Sequence, residues 1–384
     1  MVRWVIVGGA VIILLVRLWT FSHAQSPYRV GQRVQITAMV RTEPIKVYRK
    51  QYLVVEGIAL EIPVGEQLQY GDKVKVTGTI APLVTAVKGA KFGLIHQDFH
   101  LISSSLTFTG LMQQQKSKLV GQLLRWLPGD EGGLAAGILL GGNQEMSPSL
   151  KLAFQRTGLT HVVAASGYNV TIVAGWTMLL FKRLLHRRLA ILFGILSIIL
   201  YVFLSGTTPS VVRAGIMAST LFLGQIWGRE ADSLWLLVLA GWMMLVINPG
   251  YLSDIGWQLS MAATAGILAW RPTGDAWTSL AAQATTLPLI LHHFGNLSVI
   301  APVANLLLLW VVPPIMQITA VGLIVGPVNW LAWPLLRLMT GGVTLLGNLP
   351  WASFAVGNLS WGWVLGYYAA LIMVTYLINL KKAR

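Results

Sequence analysis

Residues 158–188 read Gly-Leu-Thr-His-Val-Val-Ala-Ala-Ser-Gly-Tyr-Asn-Val-Thr-Ile-Val-Ala-Gly-Trp-Thr-Met-Leu-Leu-Phe, then Lys-Arg-Leu-Leu-His-Arg-Arg. From Gly158 to Phe181 no Asp, Glu, Lys or Arg occurs. At ~1.5 Å per helical residue that stretch is long enough to cross a hydrocarbon core of ~30 Å. Lys182, Arg183, Arg187 and Arg188 then crowd one short loop. Membrane proteins collect such residues in cytoplasmic loops. The stretch therefore reads as a membrane helix that ends in the cytoplasm.

Composition extends this reading to the whole chain. Of 384 residues, 55% are apolar before 39 glycines are counted, and only 11% are charged. Soluble domains carry about 25% charged residues. A disordered chain, a coiled coil and a cytosolic enzyme are excluded. Further spans are expected at 189–205, 211–227, 234–248, 257–270, 277–292, 299–318, 320–336 and 362–379. An N-terminal anchor is expected over residues 1–26, with Arg17 snorkelling to the outer interface. Ten spans put both termini in the cytoplasm, with Arg229, Arg271 and the closing Lys381-Lys382-Ala383-Arg384 on that side. Several spans are short, which is tolerated where helices line a cavity or pack on protein. Residues 337–361 read as amphipathic or re-entrant.

Residues 27–110 differ. They hold ten Lys or Arg and six Asp or Glu, a net of +4. Apolar residues alternate at Val34, Ile36, Ala38 and Val40, at Tyr52 and Val54, and at Val74 and Val76. Such alternation marks strands with one buried face. Gly31, Gly57, Gly71 and Gly78 punctuate them. Gly71-Asp72-Lys73-Val74-Lys75-Val76-Thr77-Gly78 resembles an OB-fold strand. The expected fold class is a polytopic α-helical membrane protein with an N-terminal extracytoplasmic small β-barrel, OB-fold-like. Residues 111–157 form a bridge: an interfacial helix over Leu119 to Leu127, an apolar run from Gly133 to Gly142 too short to span, and a helix begun by Ser147-Pro148. Residues 158–380 form the polytopic domain.

Four polar constellations interrupt that domain. The first holds His161, Ser166 and Asn169; the last two are three apart and share a helix face. Glycines at 158, 167 and 175 suit close packing, so interhelical glue stands beside a polar substrate path. The second is Thr207-Thr208-Pro209-Ser210-Val211-Val212-Arg213, with Ser210 a natural cap. Arg213 in an apolar helix must face protein, water or the interface, and its guanidinium matches a phosphate as a bidentate donor. The third is Asn248-Pro249-Gly250 through Asp254, Gln258 and Ser260; Asp254 is a cap and a candidate partner for Arg213. The fourth runs from Pro288 through His292, His293 and Ser298 to Asn305. Adjacent histidines diverge on a helix, which argues against a joint metal site. With no cysteine, no Walker loop, no HExxH and no Gly-x-Ser-x-Gly, neither catalytic residues, metal nor cofactor is expected.

In this order the constellations resemble the competence domain of the ComEC family of DNA-uptake channels. The matching segments are Gly158 to Val170, Thr208 to Ala214, Gly256-Trp257-Gln258-Leu259-Ser260, and Pro288, Phe294, Gly295, Ser298, Pro302 and Asn305. Where family members often carry Leu-His after the first Ser-Gly, this chain has Tyr168-Asn169, and an amide cannot titrate. Many relatives also carry a C-terminal metallo-β-lactamase-like domain; the seven histidines here contain no such metal motif, so that domain is not expected within these 384 residues. The resemblance implies passage of single-stranded DNA across the cytoplasmic membrane in natural transformation. It implies a separate DNA receptor, nuclease and cytoplasmic ATP-driven motor as partners, with lipid around the spans. The path residues would be His161, Ser166, Asn169, Ser210, Arg213, Asp254, Gln258, Ser260 and Asn305. Lys46, Arg49, Lys50, Tyr52, Lys73 and Lys75 of the barrel would meet DNA by charge and stacking. A secondary transporter of a small solute is the main alternative; a membrane hydrolase and a scaffold are weaker ones.

Overall fold

A computed structural model describes residues 2–23, 29–40, 45–47, 50–55, 58–62, 72–83, 92–104, 108–229 and 232–383. The chain divides into two compact units, Trp19–Lys118 and Met1–Leu18 with Leu119–Arg384. Each is described by itself.

The smaller unit carries six strands: β1 (Arg33–Met39), β2 (Ile45–Val47), β3 (Lys50–Val55), β4 (Ile58–Ile62), β5 (Asp72–Pro82) and β6 (Phe92–Ser104). Their order in the sheet is β1-β5-β6-β4-β3-β2. Neighbours run antiparallel except β4 and β6, which are parallel at Ile58↔Phe92 and Ala59↔Gly93. The expected OB-fold-like β-barrel is not formed. Among the described residues the sheet is open, with β1 and β2 at its edges. Closing a sheet requires its two edges to pair with a consistent stagger, and β2 has three residues against seven in β1.

Ile36, Val40, Leu53, Ile58, Leu60, Ile62, Val74, Val76, Ile80 and Leu94 form the core of this unit. The alternation of β5 is borne out: Val74 and Val76 are buried, and Lys73 is exposed. On β3 the faces are exchanged: Leu53 is buried, whereas Tyr52 and Val54 are only half-buried. A one-residue slip in register moves every side chain to the other face. Gly78 does not end a strand but sits inside β5, where the pairing with β6 shifts between Thr77 and Thr79. A Cβ at Gly78 would overlap the Leu94 side chain. Glycine is what lets the bulged backbone lie against that residue.

The larger unit is helical. Its helices are α1 (Val2–His23), α2 (Phe108–Trp126), α3 (Asp130–Leu140), α4 (Pro148–Arg156), α5 (Thr160–Val163), α6 (Gly167–Leu184), α7 (Arg187–Leu204) and α8 (Pro209–Ile226). They continue with α9 (Ser233–Ile247), α10 (Ile255–Trp270), α11 (Asp275–Phe294), α12 (Ala301–Leu308), α13 (Val312–Gly322), α14 (Trp333–Gly347) and α15 (Trp361–Ala383). Both α1 and α2 extend into the first unit. A two-stranded ribbon pairs β7 (Asn296–Ser298) with β8 (Ser353–Ala355).

Among the described residues, three helical stretches are long and apolar enough to cross a membrane: Thr160–Leu184, Arg187–Leu204 and Ala301–Gly322. Gly8–His23, Ser233–Ile247 and Trp361–Leu377 are apolar but shorter. The chain is thus a multi-pass membrane protein, but ten full spans are more than length and composition support. The cause lies in local breaks. The α9 helix, at 15 residues, is about 22 Å long, and α10 has 16 residues before Arg271 ends it in the left-handed region. At the end of α9, Arg17 donates to the carbonyls of Val246 and Ile247 at 3.0 and 3.3 Å. It thereby tends a helix C-terminus, whose last carbonyls have no partner within the helix.

The main core gathers around α3, in which every residue from Glu131 to Leu140 is buried. Leu123 of α2 and Leu127 just past its end are buried in the same cluster, so this segment serves as packing. The expected amphipathic segment is α14, which buries Leu336, Met339 and Val343 and exposes Leu338 and Leu345.

Candidate functional site

Short connections fold α6 through α11 into an antiparallel succession. The N-termini of α6, α8 and α10 therefore share one end with the C-termini of α7, α9 and α11. Close contacts support this arrangement. A Cβ at Gly167 would lie 3.1 Å from Ala214 Cβ, and one at Gly256 would lie 3.7 Å from the Pro209 ring. Three of the four polar constellations, and the histidines of the fourth, meet at this end. Lys182, Arg183, Arg187, Arg188, Arg229 and Arg271 stand on or beside the connections at the other.

Two helix breaks define the site. The first is the end of α3, where Gly141 and Gly142 take positive φ and the chain leaves the helix. The carbonyls of Ile138 and Leu139 then lack the amide that a longer helix would supply. Asn169 Nδ2 donates to the Ile138 carbonyl at 2.7 Å, and Tyr201 Oη donates to that of Leu139 at 2.9 Å. Asn169 Oδ1 accepts from Ser166 Oγ at 3.0 Å. The second break separates α5 from α6, and there Ser210 Oγ donates to the Ala165 carbonyl at 2.9 Å. Ser210 is therefore not a cap: Thr208 holds the N-cap position of α8, and Ser210 ties α8 to the break. In hydrocarbon such partners are needed, because no water replaces them.

Arg213 follows on the same helix and is buried, 9% exposed. Its Nε donates to Ser260 Oγ on α10 at 2.8 Å, and Nη1 approaches Met217 Sδ at 3.6 Å. Gly167 lies beside it: a Cβ there would stand 3.5 Å from Nη2, an ordinary contact distance. The expected ion pair with Asp254 is not made. Asp254 Oδ1 instead accepts from the Trp257 amide at 2.9 Å and caps α10. Among the described residues Arg213 has no carboxylate partner. A buried guanidinium is normally matched by an anion.

Gln258 spends its amide on two segments: Nε2 donates to the Leu252 carbonyl and Oε1 accepts from His293 Nε2, both at 2.8 Å. His292 Nδ1 donates to the Leu359 carbonyl at 2.6 Å. Asn305 joins α12 to α11 by donating to Ser279 Oγ at 2.8 Å, and its buried Oδ1 has no partner among the described residues. His161 is exposed and apart from these contacts; among the described residues it bonds the Gly158 carbonyl at 3.2 Å. The structure thus brings together Ser166 with Asn169, Ser210 with the α5–α6 break, Arg213 with Ser260, and Gln258 with the histidines.

The sheet candidates fall into two groups. Lys46, Lys50 and Tyr52 lie on the β2–β3 edge. Lys73 and Lys75 lie on β5, three strands away from β3 and so about 14 Å along the sheet. Arg49 lies outside the described residues.

Sequence reading did not find Tyr201, a lone aromatic in an apolar run. It also missed Glu131, whose buried Oε1 accepts from Arg337 Nη1 at 2.8 Å. A carboxylate opening an apolar, glycine-rich helix was the available signal for the second.

Residues 138–381 match the family described as Competence protein. The chain belongs to the competence protein family. The match begins at Ile138, whose carbonyl Asn169 caps, and it encloses every path candidate from His161 to Asn305. Among curated relatives, ComE operon protein 3 of Bacillus subtilis (strain 168) is 29% identical over 192 residues, 47% of this chain and 25% of that protein. Competence protein ComA of Neisseria gonorrhoeae is 28% identical over 220 residues, 50% of this chain and 31% of that one. An uncharacterized protein of Aquifex aeolicus (strain VF5) is 30% identical over 206 residues, covering 51% and 46%. The chain spans less than half the length of each of these relatives. No solved structure matches it. Family and multi-pass architecture together are consistent with a membrane transport protein.

Proposed function

We propose that this chain is a ComEC-type channel that passes single-stranded DNA across the cytoplasmic membrane. Arg213 carries the reading: a buried guanidinium, without a carboxylate among the described residues, at the end of the helical unit where the polar constellations meet. A phosphodiester is the anion that such a group fits. The basic connections at the opposite end support a cytoplasmic placement for that end and for both termini. The sheet-bearing unit then lies outside the cytoplasm, where its basic residues aid capture. The chain does no chemistry on the strand. A receptor, a nuclease and an ATP-driven motor act as separate proteins.

Each path side chain is engaged with protein, so passage requires helices to part. The contact between Arg213 and Ser260 joins α8 to α10 and is the natural place for this. The test uses vesicles that contain the reconstituted chain and an internal trap for single strands, with labelled oligonucleotide outside. Wild type accumulates label, and Arg213→Ala reduces the rate at least tenfold. Equal rates for the two chains would end the assignment of Arg213, and no uptake above empty vesicles would end the channel reading. The broken helices also favour a second reading, a small-solute transporter, since transporters build their binding sites at such breaks. Uptake that excludes oligonucleotides while small anions pass would select it.

A further inference from the structure

A groove of about 560 Å³ opens on the helical unit, with Trp257, Gln258, His292, His293 and Trp361 in its lining. Its volume lies within the range of about 300–1,000 Å³ typical of small-molecule sites. We propose that it holds a nucleobase of the passing strand, stacked on Trp361. The inference rests on the single-strand reading above and names the part of the strand that this site contacts.

Three features point to a flat, neutral, hydrogen-bonding ring. The first is an aromatic surface: Trp361 is 49% exposed, and its ring centroid lies 4.3 Å from His292 and 6.2 Å from His293. The second is a polar edge with fixed tautomers. Because a carbonyl and an amide oxygen can only accept, His292 is protonated on Nδ1 and His293 on Nε2 in these contacts. In the neutral rings, His292 Nε2 and His293 Nδ1 are then acceptors suited to base N–H groups. Trp257 adds a buried indole N–H that has no partner among the described residues. The third is charge: none of the lining residues is Asp, Glu, Lys or Arg. Phosphate is therefore not what the groove selects.

The two roles are divided in space. Gln258 lines the groove, whereas Ser260, two residues on and so turned to another face of α10, holds Arg213. Stacking of this kind accepts every base, as an uptake channel needs.

The test compares binding of two fluorescent oligomers of equal length to the full chain in nanodiscs. One is an oligothymidylate and the other is its abasic counterpart, which keeps the phosphates and lacks the bases. Wild type should prefer the base-bearing strand. Trp361→Ala should cut that preference by roughly 5- to 150-fold, the range for losing one base–aromatic stack, and leave abasic binding unchanged. Trp361→Phe, which keeps a ring, should retain most of the preference and shows that loss in the alanine variant is not misfolding. Equal binding of both strands by wild type, or full preference in Trp361→Ala, overturns the base site and leaves the channel reading standing. Binding of neither strand overturns both.

Discussion

Tyr201→Phe removes one oxygen and almost no volume, so it isolates the bond that closes the end of α3. The hydroxyl donates to the Leu139 carbonyl at 2.9 Å, and both residues are buried, at 6% and 5% exposure. Leaving a buried acceptor without its donor costs about 1–3 kcal/mol in water-soluble proteins. Within membrane proteins, single interhelical bonds average about 0.6 and reach about 1.7 kcal/mol, because the unfolded chain also finds partners there. The α3 end lies in tight packing, so the upper part of the membrane range applies. We expect about 1.5 kcal/mol, roughly a tenfold shift in the folding constant. Asn169→Ala should cost more, about 2–3 kcal/mol, since it strips the Ile138 carbonyl and the Ser166 hydroxyl of partners and opens a void. The two losses fall on one helix end, so the double variant should cost less than their sum by at least about 0.5 kcal/mol. Reversible unfolding in mixed micelles, followed by tryptophan fluorescence, measures all three. A Tyr201→Phe chain as stable as wild type, with an additive cycle, would refute the view that these side chains complete α3.

Other changes test the architecture. Asp254→Ala should destabilise by about 1 kcal/mol through loss of the α10 cap, read as a lower unfolding midpoint in mixed micelles. Arg337→Ala leaves the buried Glu131 carboxylate without its cation. Because Arg337 is 68% exposed and solvent-screened, unfolding measurements should show about 1 kcal/mol, well below the cost of breaking a fully buried pair. Gly78→Val should force the β5 bulge off Leu94 and destabilise the sheet by about 1–3 kcal/mol, read as faster proteolysis within residues 29–104 while the helical core stays resistant.

Legibility followed physical range. Helix positions such as α6 and α7 were readable, since apolar length and flanking charge are local properties. Asp254 as a cap and Ser147 before Pro148 were readable for the same reason: the acceptor and the amide it meets are three residues apart. Ser210 obeys the same local rule and breaks it. Its hydroxyl found a carbonyl 45 residues away, so tertiary demand overrode capping. The pairing of Arg213 with Ser260 and not Asp254 is likewise a matter of distance that no sequence spacing encodes. Sheet closure was misread because alternation reports which face is buried and says nothing of whether two edges can meet. Even the face failed on β3, where Tyr52 and Val54 looked like the inner pair and Leu53 is.

The way α3 is finished also sets an order for making the protein. Synthesis runs from the N-terminus, so the Ile138 carbonyl is made 31 residues before Asn169, and that of Leu139 is made 62 residues before Tyr201. Until both arrive, the end of this short helix has only water to bond, and lipid would strip it bare. The segment must therefore wait at the bilayer surface or in the insertion machinery while two later helices are threaded. Its burial is the last act of a hairpin not yet translated when α3 itself is complete.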